Sequence, residues 1–332
     1  MPAICSNFME KIEMDEQVEP SFFNYIFHAL YNQKLNFPFV QQTTGIQNLK
    51  STYYFYTNVA YPKRKEQSEI ASYIDQATGT IDKVIVSKQQ QIEKLEQYKK
   101  SKIHECVTIG LDADVKLKPS GIEWIGDVPE HWKVARLKDY IDFNPSSKPE
   151  DLKPDDVVTV LPMETISEDG EILRADLLPF EEVDKGLTVF KNGDVIFAKI
   201  TPCMENGKGA FINSLKTKVA FGSTEFFVLR ATSKSDGKFI YYITKNDEFR
   251  KLAVLSMRGA AGQQRVPSEF LKFSKFGFPK RREQKEIADY LDHFCNNISK
   301  VKNRIEQQIE KLKLYRKCLI HECITGKRKV TE

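Results

Sequence analysis

Pro62-Lys63-Arg64-Lys65-Glu66-Gln67 recurs as Pro279-Lys280-Arg281-Arg282-Glu283-Gln284, and this repeat decides how the rest of the chain is read. The match continues at a constant offset of 217 positions. Ile70, Ala71, Tyr73 and Asp75 return as Ile287, Ala288, Tyr290 and Asp292. Gln91-Ile92-Glu93-Lys94-Leu95 returns as Gln308-Ile309-Glu310-Lys311-Leu312, and Ile103-His104-Glu105-Cys106 as Ile320-His321-Glu322-Cys323. Solenoid units recur every ~20–50 residues, far below this offset. Two equivalent elements, each following its own non-repeated block, imply pseudo-twofold organisation.

Each copy reads as helix. A proline in the first turn costs nothing there, because its missing N–H would have no intrahelical partner. The pattern predicts a short helix over Glu66–Ile74 and Glu283–Leu291. A longer one follows over Ile298–Cys323, which contains no Gly or Pro. Ile298, Ile305, Leu312 and Leu319 stand seven apart, with Val301, Gln308 and Tyr315 interleaved, which is a coiled-coil seam of three to four heptads. At 1.5 Å per residue it spans on the order of 40 Å. In the first copy Ile81 and Leu95 hold the seam, Lys88 and Lys102 occupy two of its positions, and Ile85, Ile92 and Ile103 sit beside it. A lone helix with such a stripe is marginal in water. The other copy is the natural partner, antiparallel about a perpendicular twofold axis, through Ile81, Leu95, Ile298, Val301, Ile305, Leu312, Tyr315 and Leu319. The competing reading packs each helix on its own domain.

The block between the copies opens with Gly121-Ile122-Glu123-Trp124-Ile125-Gly126 and Pro129-Glu130-His131-Trp132. Short strands are predicted at 157–161, 186–190, 195–200 and 226–229. An amphipathic helix over 239–257 follows, with Phe239, Tyr242, Ile243 and Phe249 facing inward. The block before the first copy aligns at the same offset with the end of the long one. Phe22, Tyr25 and Ile26 answer Phe239, Tyr242 and Ile243, and Gly45 and Gln47 answer Gly262 and Gln264. The expected layout is therefore a partial domain over 1–61, a helical region over 62–110, a complete α+β domain over 118–278 and a second helical region over 279–325.

Composition narrows the function. The 332 residues carry 41% hydrophobic and 29% charged residues with a net charge of +4, compatible with a polyanionic partner. No run approaches the ~20 apolar residues needed to cross a bilayer. The acidic start (Glu10, Glu13, Asp15, Glu16) is unlike a signal peptide, so a cytoplasmic location without membrane contact is expected. The six cysteines (5, 106, 203, 295, 318, 323) form no C-x-x-C pair, which argues against a zinc site or a disulfide framework. His104-Glu105-Cys106 and its twin read as helix-end residues, and no metal or cofactor is expected. Asn144-Pro145-Ser146-Ser147 lacks the second proline and aromatic of an adenine methyltransferase motif. No Gly-rich cofactor loop, P-loop or H-E-x-x-H is present, so no catalytic residue is expected.

The order of block, helix, block and helix resembles the specificity (S) subunit of type I DNA restriction–modification systems. The segment Pro279–Ile287 with its heptad helix, the opening motifs Gly121–Gly126 and Pro129–Trp132, and Gly193–Pro202 with Glu205-Asn206-Gly207-Lys208 carry the likeness. The resemblance implies a non-catalytic subunit in which each block is a target recognition domain reading one half of a split site on double-stranded DNA. The helices would form an antiparallel spacer that docks methyltransferase (M) subunits, beside a separate restriction/translocase (R) subunit. This chain departs in its partial first domain. Two chains could therefore associate through the helices as a homodimer presenting two complete domains. The rival reading is a coiled-coil interaction protein without DNA function, or an inactive remnant of a truncated subunit.

Two segments suit DNA contact. In the turn from Lys199 to Gly209, Thr201, Glu205, Asn206 and Lys208 have the chemistry of groove readers: Asn pairs with an adenine edge, Lys takes guanine or phosphate, and a carboxylate accepts from cytosine. In the glycine-bearing run from Arg258 to Arg265, Gln263 and Gln264 can read adenine, while Arg258 and Arg265 can hold phosphate or guanine. The competing reading makes both plain surface turns. The basic clusters at 63–65 and 280–282 fit phosphate tracking and a solvated helix start equally well.

Overall fold

The computed structural model describes residues 11–43, 46–146, 152–183, 186–260 and 262–330. The chain forms two compact units, one of residues 1–94 with 300–332 and one of residues 95–299. In the first, α1 (Pro20–Asn32) leads into the hairpin β1 (Val40–Thr43)–β2 (Ile46–Leu49), the short α2 (Ser51–Tyr54) and α3 (Arg64–Thr108). Gly45, matched to Gly262 by sequence, lies outside the described residues, as does the side chain of Gln47.

The second unit is α+β. It opens with the antiparallel hairpin β3 (Leu117–Ile122)–β4 (Gly126–Pro129) and continues through β5 (Lys133–Arg136), β6 (Ile141–Phe143), β7 (Val157–Leu161), β8 (Asp176–Pro179) and β9 (Thr188–Phe190). The strands β10 (Asp194–Ala198), β11 (Gly209–Phe211), β12 (Ala220–Gly222) and β13 (Phe226–Ala231) follow, then α4 (Gly237–Lys245), α5 (Asp247–Leu255), α6 (Ser268–Phe273) and β14 (Lys275–Phe278). The helix α7 (Arg281–Ile324) ends the regular structure. One four-stranded sheet runs β11-β10-β13-β6 and a second runs β8-β7-β12-β9, with β12 parallel to β7. Every residue of β10 is buried, as a strand covered on both faces requires. Its residues alternate accordingly. Val195 and Phe197 join the core under α4, with Phe239 and Ile243, while Ile196 and Ala198 join Phe190 and Leu161 in a second core.

Three expectations change. The short and long helices of each copy are one rod, because no proline intervenes and Phe294 and Cys295 carry the half-buried stripe across the expected gap. The single helix over 239–257 is two. Asn246 is non-helical (φ −63°, ψ 124°), and its side chain accepts from the Phe249 N–H at 3.0 Å, capping α5 as Asp236 caps α4. The seam also steps by four residues, not three, after Ile298. The buried and half-buried rows of α7 are Gln284, Leu291, Ile298, Ile305, Leu312 and Leu319, together with Ala288, Cys295, Lys302, Ile309, Arg316 and Cys323. Val301 and Tyr315 are 42% and 49% exposed, against 5% for Ile309. Polarity misleads here: Lys302 and Arg316 lay aliphatic stems along the seam, and Arg316 Nε reaches Asp82 at 3.1 Å.

Within each unit the long helices run antiparallel. Ile70, Ile74 and Ile81 share a core with Leu319, Ile320 and Cys323 in the first unit, and Lys88 Nζ donates to Gln308 Oε1 at 2.6 Å. In the second, Ile103 and Cys106 share a core with Ile287 and Leu291, and the Tyr98 and Phe294 rings meet edge to face at 5.2 Å. The duplication extends to single hydrogen bonds. Gln67 donates to Pro62 O (2.8 Å) and Gln17 O (3.4 Å) and accepts from Glu19 N–H (2.8 Å). Gln284 donates to Pro279 O (2.9 Å) and Lys234 O (3.1 Å) and accepts from Asp236 N–H (2.9 Å), each partner displaced by the same 217 positions. Both glutamines are fully buried.

Candidate nucleic-acid interface

The two segments singled out by residue chemistry, 199–208 and 258–265, are far apart in sequence and adjacent in the fold. Thr201 N–H donates to Gln264 O at 3.0 Å, Gln264 N–H donates to Thr201 Oγ1 at 3.2 Å, and Val266 N–H donates to Lys199 O at 2.9 Å. An antiparallel bridge joins Ile200 to Arg265, and another joins Arg258 to Arg265, so the two ends of this stretch pair with each other and lie against the strand end at 199–201. Gly259 (φ +124°) and Gly262 (φ +80°), between those ends, take backbone conformations that suit glycine.

The 201–208 segment is a coiled turn held from inside the domain. Asn206 N–H donates to Pro202 O at 3.0 Å, and Lys208 N–H donates to Cys203 O at 2.9 Å. Two cations missed by the sequence reading anchor it. The Arg250 guanidinium donates to Glu205 O, and Lys245 Nζ donates to Gly207 O at 2.8 Å and Glu168 O at 2.6 Å. Burial, helped by the nearby Arg250 charge, lowers the Lys245 ammonium to about 7. Gly207 suits this turn: its φ is +73°, and a side chain there would be strained and would displace the Arg250 guanidinium.

Of the candidates, Glu205, Asn206, Arg258, Gln263 and Arg265 are exposed, while Lys199, Thr201, Lys208 and Gln264 are half-buried. Arg265 has a protein partner. Its Nη2 lies 2.8 Å and its Nε 3.0 Å from the Glu225 carboxylate, and the Arg265 hydrogen bond holds the Glu225 carboxyl below the usual carboxylate range. Glu225 escaped the sequence reading because nothing local marks it. Lys199 Nζ sits 5.5 Å over the Phe227 ring. Gln264 is used through its backbone. The edge therefore combines a fixed clasp (Arg265–Glu225, Thr201–Gln264) with exposed Asn206, Arg258 and Gln263.

The hairpin β1–β2 takes the matching place in the other unit. Its Gln41↔Asn48 pair stands where Arg258 and Arg265 stand, so amides replace both cations. The interface residues proposed for the helices divide in the same plain way. Ile81, Ile298 and Leu319 are buried, Leu95, Ile305 and Leu312 half-buried, and Val301 and Tyr315 outward. Among the described residues no group of three His, Cys, Asp or Glu could hold a metal, and no helix is long and apolar enough to cross a membrane.

Residues 129–311 match the family described as type I restriction modification DNA specificity domain. The EcoAI specificity subunit of Escherichia coli is 34% identical over 164 residues, covering 48% of this chain and 27% of that protein. The chain thus matches about a quarter of that relative's length. The MjaVIII specificity subunit of Methanocaldococcus jannaschii is 26% identical over 98% of this chain and 75% of its own length. Two solved structures share the fold at 14% identity. One, from work on complex assembly and conformational transition of a type I R-M system, has a TM-score of 0.68 over 93% of this chain and 72% of its own. The other, the HsdS subunit of Thermoanaerobacter tengcongensis, has a TM-score of 0.50 over 94% and 71%.

Proposed function

We propose, from the premise that this chain belongs to the type I restriction modification DNA specificity family, that it is a non-catalytic subunit that selects a DNA sequence for methyltransferase and restriction/translocase subunits. The observation that carries this reading is the meeting of segments 199–208 and 258–265 at one exposed edge of the second unit. In this reading Asn206 and Gln263 read base edges in the major groove, and Glu205 accepts from cytosine. Arg258, with Lys199 and Lys208 behind it, neutralises phosphate. Arg265, Thr201 and Gln264 set the 258–265 stretch against the turn.

The partner assignment draws on the outward row of the long helices. Tyr73, Val84 and Tyr98 on α3 recur as Tyr290, Val301 and Tyr315 on α7, and all six are exposed. Such a duplicated apolar row suits two equivalent docking faces for two methyltransferase subunits. Residues 118–278 act as the complete recognition domain and 1–61 as a partial one whose hairpin lacks the two arginines. Association of two chains would then present two complete domains to a symmetrical target.

The test is the methylation map of DNA from cells carrying this chain with its methyltransferase partner. Asn206→Ala and Gln263→Ala should relax one base position each, by roughly 1–3 kcal/mol of discrimination. Arg258→Ala should weaken binding to all sequences and reduce the log–log salt slope by about 0.9. An unchanged motif in all three variants would remove the assignment.

A further inference from the structure

The first unit contains a cavity of about 460 Å³ lined by Ile26, Val59, Tyr61, Glu66, Ile70 and Cys323, among others. At the offset of 217 the same place in the second unit is filled. There β5 pairs with β14, setting Val134 opposite Gly277. Trp132 is 1% exposed, and its Nε1 donates to Glu283 Oε1 at 2.8 Å. His131 Nε2 lies 2.9 Å from the other oxygen of the same carboxylate. Trp124 packs its ring on Phe276 at 5.6 Å. All of these filling groups lie within residues 117–136.

Their receptors are present in the first unit without those partners. Glu66 stands for Glu283 and has no hydrogen-bond or ion-pair partner among the described residues. Residues 58–61 stand for β14 and take no strand partner among the described residues. Tyr61 is 52% exposed, whereas its counterpart Phe278 is 2% exposed and stacked on Tyr140. Leu35, which also lines the cavity, is 50% exposed, and apolar side chains left open beside a cavity mark a binding surface. Residues 58–61 beside them carry backbone groups with no strand partner among the described residues, to which an incoming strand can pair.

We propose that this cavity is the docking site for a second polypeptide segment with the chemistry of residues 117–136, which adds a strand to residues 58–61 and directs an indole N–H to Glu66. One difference refines the fit. A Cβ on Gly277 would lie 2.8 Å from the Trp132 ring, and the first unit has Ala60 at that position. The incoming indole must therefore shift outward, so Ala60→Gly deepens the seat. The proposal is independent of whether the chain reads DNA.

The probe is a fluorescein-labelled peptide of residues 117–136 titrated into the full chain, with anisotropy as the readout. Saturable binding is expected, weakened about tenfold by Glu66→Gln in the chain, about tenfold by Trp132→Ala in the peptide, and strengthened by Ala60→Gly. Glu66 and Ala60 are exposed, so both variants fold. Absence of saturable binding, or binding indifferent to Glu66 and Ala60, overturns the proposal.

Discussion

Replacing Gln284 by Met tests whether the duplicated glutamines are the joints on which each helix meets its domain. Methionine keeps the length and most of the volume but has no amide. Three buried or half-buried backbone groups then lose a partner: Asp236 N–H, Lys234 C=O and Pro279 C=O. An orphaned buried polar group costs roughly 1–3 kcal/mol, and the low end applies where water can approach. The expected loss is therefore about 3 kcal/mol, a large share of the ~5–15 kcal/mol that holds a typical domain. Gln67→Met removes the equivalent set, but one of its bonds, to Gln17 O, is already long at 3.4 Å. The expected cost there is about 2 kcal/mol. Because the chain has two units, a single melting midpoint is a poor measure. Native-state hydrogen exchange at the Asp236 and Glu19 amides reads each joint separately. Exchange at Asp236 should accelerate in Gln284→Met with Glu19 unaffected, and the converse in Gln67→Met. If both variants keep wild-type exchange, the joints carry no weight and the reasoning fails.

Three further outcomes are expected. Ile309→Lys places an unpaired charge in the seam and should cost about 2–4 kcal/mol, whereas Val301→Lys should stay within ~0.5 kcal/mol, as measured by urea unfolding of the helices; equal effects would return the seam to its three-residue step. Lys245 titrates near 7 when folded and at 10.5 in the reference state, so between pH 7 and about 9 the unfolded chain binds the extra proton. Stability should rise with pH over that window, with a slope approaching ~1.4 kcal/mol per pH unit that Lys245→Met abolishes. The Cys106 thiol, pushed up to about 12 by burial, should resist a disulfide reagent at pH 8 in the native chain, while exposed Cys318 reacts within the mixing time.

The duplication was legible because it is written in residue identity, and identity at a fixed offset survives without knowledge of contacts. The long helices and four of the eight strands in the two four-stranded sheets, β7, β9, β10 and β13, followed from hydrophobic pattern, while β6, β8, β11 and β12 did not. What the periodicity misjudged was the phase of the seam, since Val301 and Tyr315 are more apolar than Lys302 and Arg316, and only packing shows that stems outweigh heads. The break at Asn246 was signalled by a capping residue whose effect the apolar run on either side obscured. The two halves of the candidate interface were each visible as residue chemistry. Their adjacency was not, because the clasp is made by Glu225 and by backbone groups, and the anchors Lys245 and Arg250 look from sequence like ordinary helix-surface cations.

The cations embedded in the long helices also police the direction in which the two rods can be laid together. In the antiparallel arrangement Lys88 meets Gln308 and Arg316 meets Asp82. Laid head to head with equivalent positions opposed, Lys99 would confront Arg316, and Lys88 and Lys102 would face Ile305 and Leu319. A pair of helices with identical, wholly aliphatic stripes could associate either way round. These few misfit residues weaken every seam a little and the wrong one a great deal, so orientation is decided by what the helices refuse as much as by what they bury.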